Sequence, residues 1–280
     1  MQKDNVKFKI ILLGILFFGI FGLAKSSWAE DFYITQNASG SDNGADCANA
    51  HSASWFNTGA NWANPKQSGK IGPGDSSYLC GTISTRLATQ ASGTFENKIT
   101  IKFEDNAKLS KPSWNGMALL IQKECIVIDG GTNGIIENTD NGTAGSYAYQ
   151  QNAQGIWADS CNGCEVKNLT IRNLYIHNSN ADTAIDNWMT KAIHINGSNL
   201  TVHDNIIHDA GSGIIVSYSI GDTNVRIYNN DIYNIDHGMA LSSGGSNAGG
   251  KFYFYNNHVH DYKKWDTLSN AYHHDGIHAF

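Results

Sequence analysis

The feature that most constrains the fold is a short pattern that repeats through the second half of the chain. Four segments carry it: LTIRNLYIHN, LTVHDNIIHD, VRIYNNDIYN and FYFYNNHVHD. Taking the third residue of each as an anchor aligns Ile171, Val202, Ile227 and Phe254, at spacings of 31, 25 and 27 residues. Short alternating strands at such a period predict a solenoid, in which each repeat is one β-coil stacked on its neighbours.

Each coil also has a third strand, which opens with a glycine or an alanine, as in GIWA, AIHI, GIIV, GMAL and GIHA. Side chains alternate between the two faces of a strand. The apolar residue after each opening position is therefore expected to point inward and to stack on its counterparts. The predicted ladder consists of Ile156, Ile193, Ile214, Met239 and Ile277.

Asparagines recur three residues after the anchors. This position holds Leu174, Asn205, Asn230 and Asn257. An asparagine amide both donates and accepts hydrogen bonds. Stacked asparagines at a tight turn can therefore bond one another and the turn backbone, which leaves no buried polar group unpaired. We interpret this row as structural.

The asparagine row, the NN-x-I turns and the GI-x-V strands resemble those of the pectate-lyase-like superfamily of right-handed parallel β-helices. The resemblance covers residues of roughly 98 to 280. It implies an all-β fold, a single-stranded right-handed parallel β-helix or solenoid. It implies little about the reaction, because the superfamily includes polysaccharide lyases, glycoside hydrolases, epimerases and non-catalytic surface proteins.

Residues 1–29 have the features of a secretory signal peptide. Lysines precede a continuous apolar run from Ile10 to Ala24, and the small residues Ser27 and Ala29 fit a cleavage site after Ala29. The alternative is an uncleaved membrane anchor, but the run is short for a full span. We expect cleavage, no membrane span afterwards, and a secreted or periplasmic protein.

The remaining chain divides at a change of pattern. Residues 30–97 are predicted to form an N-terminal capping region of strands and loops, and residues 98–280 the coils. A cap is expected because a solenoid end exposes apolar core and unpaired strand edges. The last coil stops inside its third strand, so we also expect a longer parent protein that continues past Phe280. The pattern leaves the oligomeric state open.

The charge balance argues against one class of partner. The chain has 19 Lys and Arg against 25 Asp and Glu, a net charge of −6. Signal cleavage would remove four lysines and one aspartate, which makes the mature chain more acidic. Nucleic-acid binding requires a basic surface, so no nucleic-acid partner is predicted.

All five cysteines follow the signal peptide, in a compartment where disulfides form. Cys47 and Cys80 flank the loop-rich N-terminal region and are the first candidate pair. Cys161 and Cys164 can close a tight loop, since no second pair at zinc-site spacing accompanies them. Cys125 stands in an apolar strand pattern and is expected to be a buried thiol. No metal site is predicted.

In the resembled superfamily, ligands lie along the face formed by the glycine-opened strands and the loops that lead into them. The outward positions on that face are Trp157, His194, Ile215, Ala240 and His278. The positions just before the strand openings are Gln154, Lys191, Ser212, His237 and Asp275. Because stacked coils lie about 4.8 Å apart, we expect His237 and Asp275 to come within hydrogen-bonding reach.

These positions define a candidate sugar site. The predicted catalytic residues are Asp275, His237, Asp236 and Lys191. The predicted substrate-binding residues are Trp157, His194, His274, His278, Lys263 and Trp265, three of them from the insertion DYKKWDTLSNAYHH. Tryptophan faces stack on sugar rings, histidine and aspartate transfer protons, and lysine neutralises a uronate. A further aligned row is interpreted as a surface stack of rings: His177, His208, Tyr233 and His260.

Glycoside hydrolysis is one open reaction. An inverting enzyme needs two carboxyl groups about 6.5–9.5 Å apart, and a retaining enzyme about 5–5.5 Å. Asp236 and Asp275 are candidates for the wider spacing. The DGI at Asp275 is similar to part of the NTDGI motif of polygalacturonases, although His273 and His274 precede it here.

A polysaccharide lyase is the other open reaction. It needs a base near the C5 proton of a uronate and a cation on the carboxylate, and Lys191, Lys263 and His237 are candidates for these roles. Calcium would need clustered carboxylates, and the aspartates near this face are scattered. No cofactor is therefore predicted.

The sequence thus predicts an exported carbohydrate-active β-helix protein that cleaves a polysaccharide, as a lyase or a glycoside hydrolase, in a groove along the glycine-opened strands. The alternative is a non-catalytic polysaccharide-binding or surface adhesin β-helix, which the many Asn, Ser and Gly residues suit equally well. A cluster of titratable groups with shifted pKa values in one groove favours the enzyme.

Overall fold

The computed structural model describes residues 28–140, 153–176, 190–218, 224–243, 251–261 and 275–279. Almost all of the predicted signal peptide lies outside this part. Within it, the helices are α1 Ala53–Phe56 and the short 3-10 turns Cys47–Asn49 and Gly59–Asn61. None of the helices in these ranges is long and apolar enough to cross a membrane.

The described chain is otherwise built from strands. They are β1 Asp31–Thr35, β2 His51–Ser52, β3 Ser76–Leu79, β4 Thr82–Ile83, β5 Leu87–Ala88, β6 Ile99–Phe103, β7 Lys108–Lys111, β8 Gly116–Ile121, β9 Ile126–Asp129, β10 Ile135–Asn138, β11 Ala153–Ala158, β12 Glu165–Lys167, β13 Thr170–Arg172, β14 Lys191–Ile195, β15 Thr201–His203, β16 Ile206–Tyr218, β17 Val225–Tyr228, β18 Asp231–Ser243, β19 Phe252–Tyr255, β20 His258–His260 and β21 Ile277–Ala279.

Two long parallel sheets contain these strands. The first has nine strands in the order β19-β17-β15-β12-β9-β6-β3-β1-β2. The second is strongly curled and has twelve strands. From β3 to β19 each strand of the first sheet pairs with the strand of the neighbouring coil, so the chain returns to the same position after every coil. This is a solenoid-like β fold. At the N-terminal end the order changes, because β1 lies between β3 and β2.

The second sheet curls because two of its strands turn a corner. Strands β16 and β18 are each 13 residues long. Their first halves pair with β13 and β20, and their second halves pair with β14 and β21. The curled sheet therefore holds two rows of strands, and each of these coils contributes one strand segment to each row.

The apolar ladder predicted on the glycine-opened strands is confirmed. Neighbouring strands pair in register at Ile156, Ile193, Ile214, Met239 and Ile277. The first four of these side chains are buried in the hydrophobic core, as predicted, whereas Ile277 pairs in register but is 57% exposed. Burying each such side chain stabilises the fold by about 1.5–3 kcal/mol, so stacked like residues build the core one coil at a time.

One anchor of the sequence alignment is wrong. Val202 pairs with Ile227, and Ile227 with Phe254, as expected. However, the partner of Val202 in the preceding coil is Val166, whereas Ile171 pairs with Ile207 in the other sheet. The sequence alignment thus took the strand of Ile171 for the strand of Val166, which comes before it in the same coil. The two were confused because both strands carry an isoleucine or valine between polar residues.

The asparagine row is confirmed as a ladder of hydrogen bonds. Asn205 Nδ2 donates to Asn230 Oδ1, and Asn230 Nδ2 donates to Asn257 Oδ1, both at 2.9 Å. The side-chain amides of Asn205, Asn230 and Asn257 also donate to backbone carbonyls of the preceding coil, at the strand residues Val166, Val202 and Ile227. In the coil before Asn205, this position is held by Leu169 and not by Leu174 as predicted, since the Leu169 N–H donates to Asn205 Oδ1 at 3.1 Å.

The N-terminal region shares the first sheet with the coils. Strand β3 pairs with β6, and Leu79 lies opposite Phe103 in the core. The expected cysteine pairs are confirmed as Cys47–Cys80 and Cys161–Cys164. Cys125 is a buried thiol, as expected, and burial raises its pKa. The division of the chain at residue 97 stays a prediction.

A matched pair of substitutions on β16 tests the register. Ile214 is fully buried in the ladder, whereas Ile206 on the same strand is 44% exposed. We expect Ile214→Asn to lower the free energy of unfolding by at least about 3 kcal/mol, because it removes apolar contacts and buries an amide. Ile206→Asn should change it by less than about 1 kcal/mol. Urea unfolding measures both, and equal losses would contradict the register.

Candidate functional site

A continuous row of polar side chains runs along the glycine-opened strands. Neighbouring strands pair in register at Gln154, Lys191, Ser212 and His237, which we call the polar row. Each of the four residues is at most 9% exposed. Polar and charged groups are costly to bury. Four of them on successive coils therefore point to a role other than stability.

Glycine positions the polar row against the coils. Gly155, Gly213 and Gly238 each follow a polar-row residue directly. A Cβ at any of them would stand too close to a backbone carbonyl of the next coil and to an inward-pointing aliphatic side chain. These three positions therefore require glycine, whereas the equivalent position after Lys191 is the small, fully buried Ala192.

The predicted outward positions form a second row beside the first. The strands pair in register at Trp157, His194, Ile215, Ala240 and His278. The rings of Trp157 and His194 lie 5.5 Å apart and are tilted by 38°. His194 Nε2 lies 3.0 Å from Ser217 Oγ on the following coil.

The electrostatics of His194 connect the two rows. Its pKa is lowered to about 4, first by burial and then by the positive charge of Lys191, while the negative charge of Asp159 opposes the shift. Burial also lowers the pKa of Lys191. At neutral pH the imidazole of His194 is therefore uncharged, beside a lysine that loses its proton more easily than one in water.

Several polar atoms of the two rows are buried without a hydrogen-bond partner among the described residues. They are Gln154 Oε1, Ser212 Oγ and His194 Nδ1. Buried polar atoms in native proteins usually have a partner. Atoms of this kind, collected on one face, are suited to binding the hydroxyl groups of a ligand.

The polar row ends at a buried acid and imidazole. Asp236 is fully buried and His237 is 3% exposed. His237 Nδ1 lies 3.3 Å from Asp236 Oδ2. This contact orients the imidazole ring beside the acid, and histidine is the side chain that most often transfers protons in active sites.

In the last described coil, a backbone hydrogen bond holds Asp275 next to the end of the polar row. The Gly238 N–H donates to the Asp275 carbonyl at 3.0 Å. The Asp275 carboxylate contacts His278, with Oδ2 2.5 Å from Nδ1. The side-chain pairing of Asp275 with His237 and the distance between the two carboxyl groups of Asp236 and Asp275 stay predictions.

Three predicted site residues fall outside the part of the chain that the structure describes. They are Lys263, Trp265 and His274.

The sequence analysis did not include two other side chains, Gln154 and Ser212, among the candidate site residues. Their position just before a strand opening could have indicated them, because Lys191 and His237 stand at the same position and were predicted as site residues.

The outer surfaces of the sheets carry stacked rings. His208, Tyr233 and His260 stack as predicted, with centroids 4.8 and 5.0 Å apart. The residue before His208 in this row is Arg172, not His177 as predicted; His177 lies outside the described residues. A second stack on the nine-stranded sheet was missed by the sequence analysis, and it consists of His203, Tyr228 and Tyr255.

Comparisons with known proteins give no relatives: no protein-family model, no curated protein and no solved structure matches the chain. The chemistry of the site must therefore be inferred from its own geometry.

The depressed pKa of His194 gives a testable pH dependence. An unfolded histidine titrates near 6.5. Between this value and about 4, the unfolded chain binds a proton that the folded chain does not. The free energy of unfolding should therefore fall as the pH is lowered through this window, by up to about 3 kcal/mol from this residue.

Urea unfolding at several pH values measures this loss. The variant His194→Gln should show a shallower fall between pH 6.5 and about 4 than the wild type. Identical slopes for the two proteins would rule out a buried neutral imidazole at position 194.

Proposed function

We propose that this protein is an exported, pectate-lyase-like right-handed parallel β-helix that cleaves a polysaccharide along the polar row. The observation that carries the proposal is the burial of Gln154, Lys191, Ser212 and His237 on four successive coils, with Asp236 beside the last of them. Lys191 in this row and His194 beside it both have lowered pKa values, and such groups collected on one face are typical of active sites.

The shape of the site supports a polymeric substrate. The residues of the polar row repeat at the spacing of neighbouring strands, about 4.8 Å. The site therefore offers polar side chains at several points along a line. Trp157 lies on the same strand as Gln154, the first residue of the polar row, and offers an aromatic face for a sugar ring. An extended sugar chain can use these contacts in succession, whereas a small compound would use only one or two.

Lys191 favours β-elimination from a uronate-containing polysaccharide. Burial lowers its pKa, which brings it closer to that of a general base working near neutral pH. Neutral Lys191 would take the C5 proton, and the electron pair left on C5 would form the C4–C5 double bond as the bond from C4 to the glycosidic oxygen breaks. His237, oriented by Asp236, would then act as the general acid and give a proton to the departing oxygen.

Export is part of the same proposal. The predicted signal peptide covers residues 1–29, and the two disulfides fit an oxidising compartment outside the cytoplasm. A secreted or periplasmic location would bring the protein to its polymer substrate.

The second candidate function is polysaccharide binding without cleavage. The observation that favours it is the ring stack of His203, Tyr228 and Tyr255 on the nine-stranded sheet. Tyr255 and the neighbouring Tyr253 are both more than 40% exposed. Exposed aromatic rings in a line can hold a sugar chain without cleaving it.

Activity assays on the purified protein test the main proposal. Incubation with a panel of uronate-rich and neutral polysaccharides should give an unsaturated product, detected by its ultraviolet absorbance, from uronate-rich polymers. Lys191→Met and His237→Gln should each lower turnover by about 10²- to 10⁴-fold. The control His203→Gln, on the nine-stranded sheet, should keep wild-type turnover.

The assay separates the alternatives. New reducing ends without the unsaturated product would indicate hydrolysis instead of elimination. Binding without cleavage, lost in Tyr255→Ala and kept in Lys191→Met, would replace the proposal by the binding function. Normal turnover in Lys191→Met, with melting unchanged, would contradict the role of the polar row.

A further inference from the structure

We propose that Asp231, His258 and His260 form a binding site for a divalent transition-metal ion, with zinc as the ion we commit to. Asp231 opens β18, and the two histidines stand at the ends of β20, on the row of strands that does not carry the polar row. The site is therefore separate from the proposed reaction and does not depend on it.

The distances between the ligand atoms fit one ion. Asp231 Oδ1 lies 3.1 Å from His258 Nδ1 and 3.2 Å from His260 Nε2. Two atoms held about 2.1 Å from one zinc ion lie roughly 3.0 Å apart at a right angle and roughly 3.4 Å apart at the tetrahedral angle. All three ligand atoms lie within 4.8 Å of one another.

The backbone holds two of the ligands at a fixed separation. Asp231 and His258 are paired residues of neighbouring parallel strands. His260 follows two residues later, and because side chains alternate along a strand, it points to the same face as His258. The two imidazole rings lie 4.2 Å apart. His258 has a 71% exposed side chain, so it can rotate to complete the coordination.

The surroundings of His260 have the arrangement usual for a metal-bound histidine. Its Nδ1 lies 2.9 Å from Asp261 Oδ2, which leaves Nε2 facing Asp231. Metal-binding histidines commonly donate the other ring N–H to a carboxylate, which fixes the tautomer and strengthens the ligand. The ring of His260 also stacks on Tyr233, with centroids 5.0 Å apart, which holds its plane.

The ligand types select the class of ion. Two imidazoles and one carboxylate suit zinc, copper or nickel, whereas calcium and magnesium prefer oxygen ligands only. Three protein ligands leave at least one position on the ion for water or another molecule. The exposed side chains of His258 and Asp231 keep that position open to solvent.

Calorimetric titration of the protein with zinc chloride, purified without a histidine tag, tests the site. We expect wild type to bind zinc and to show no binding heat with magnesium chloride. His258→Ala and His260→Ala should each lose the bound zinc. Asp261→Asn should weaken binding by about 10- to 100-fold, because it removes the carboxylate behind His260.

The matched control is His203→Ala. His203 lies on the nine-stranded sheet between two carboxylates, with Nε2 3.2 Å from Glu165 Oε1 and Nδ1 2.6 Å from Asp204 Oδ2. It has acidic surroundings like those of His260 but belongs to no such triad of ligands among the described residues, so its variant should bind zinc as wild type does. Absence of zinc binding by wild type, or unchanged binding by both His258→Ala and His260→Ala, would overturn the proposal.

Discussion

The rest of the structure depends on the parallel hydrogen bonding of each coil to the next in a fixed register. Because the side-chain period of a strand is two residues, a slip of one residue would turn every inward residue outward. The register instead places like above like: Ile193 on Ile156, Ile214 on Ile193, and Asn230 on Asn205. Core, turns and site are all consequences of this one constraint.

The same constraint makes a linear site possible. Residues at the same position of successive coils lie next to one another and form a row. In the polar row, four different polar residues occupy such a position. Stability alone would favour apolar residues at such buried positions. The coils supply a long apolar ladder nearby, which stabilises the fold and offsets the cost of burying Lys191 and His237.

Much of the architecture could be predicted from the sequence because the repeats encode it locally. The isoleucine ladder, the asparagine ladder and both disulfides followed from spacing and residue type. The error at Ile171 arose where two strands of one coil have the same local pattern, so that only their pairing tells them apart. The burial of the polar row depends on packing between coils, and the approach of Asp231 to His258 and His260 depends on strand pairing, so spacing alone revealed neither.

The central claim is that a sugar polymer lies along the polar row. A crystal structure of the protein with a bound uronate oligosaccharide tests it most directly. Our account predicts that the sugar chain runs across successive coils beside Gln154, Lys191, Ser212 and His237, with a ring against Trp157. An oligosaccharide bound instead along His203, Tyr228 and Tyr255 on the nine-stranded sheet would contradict it.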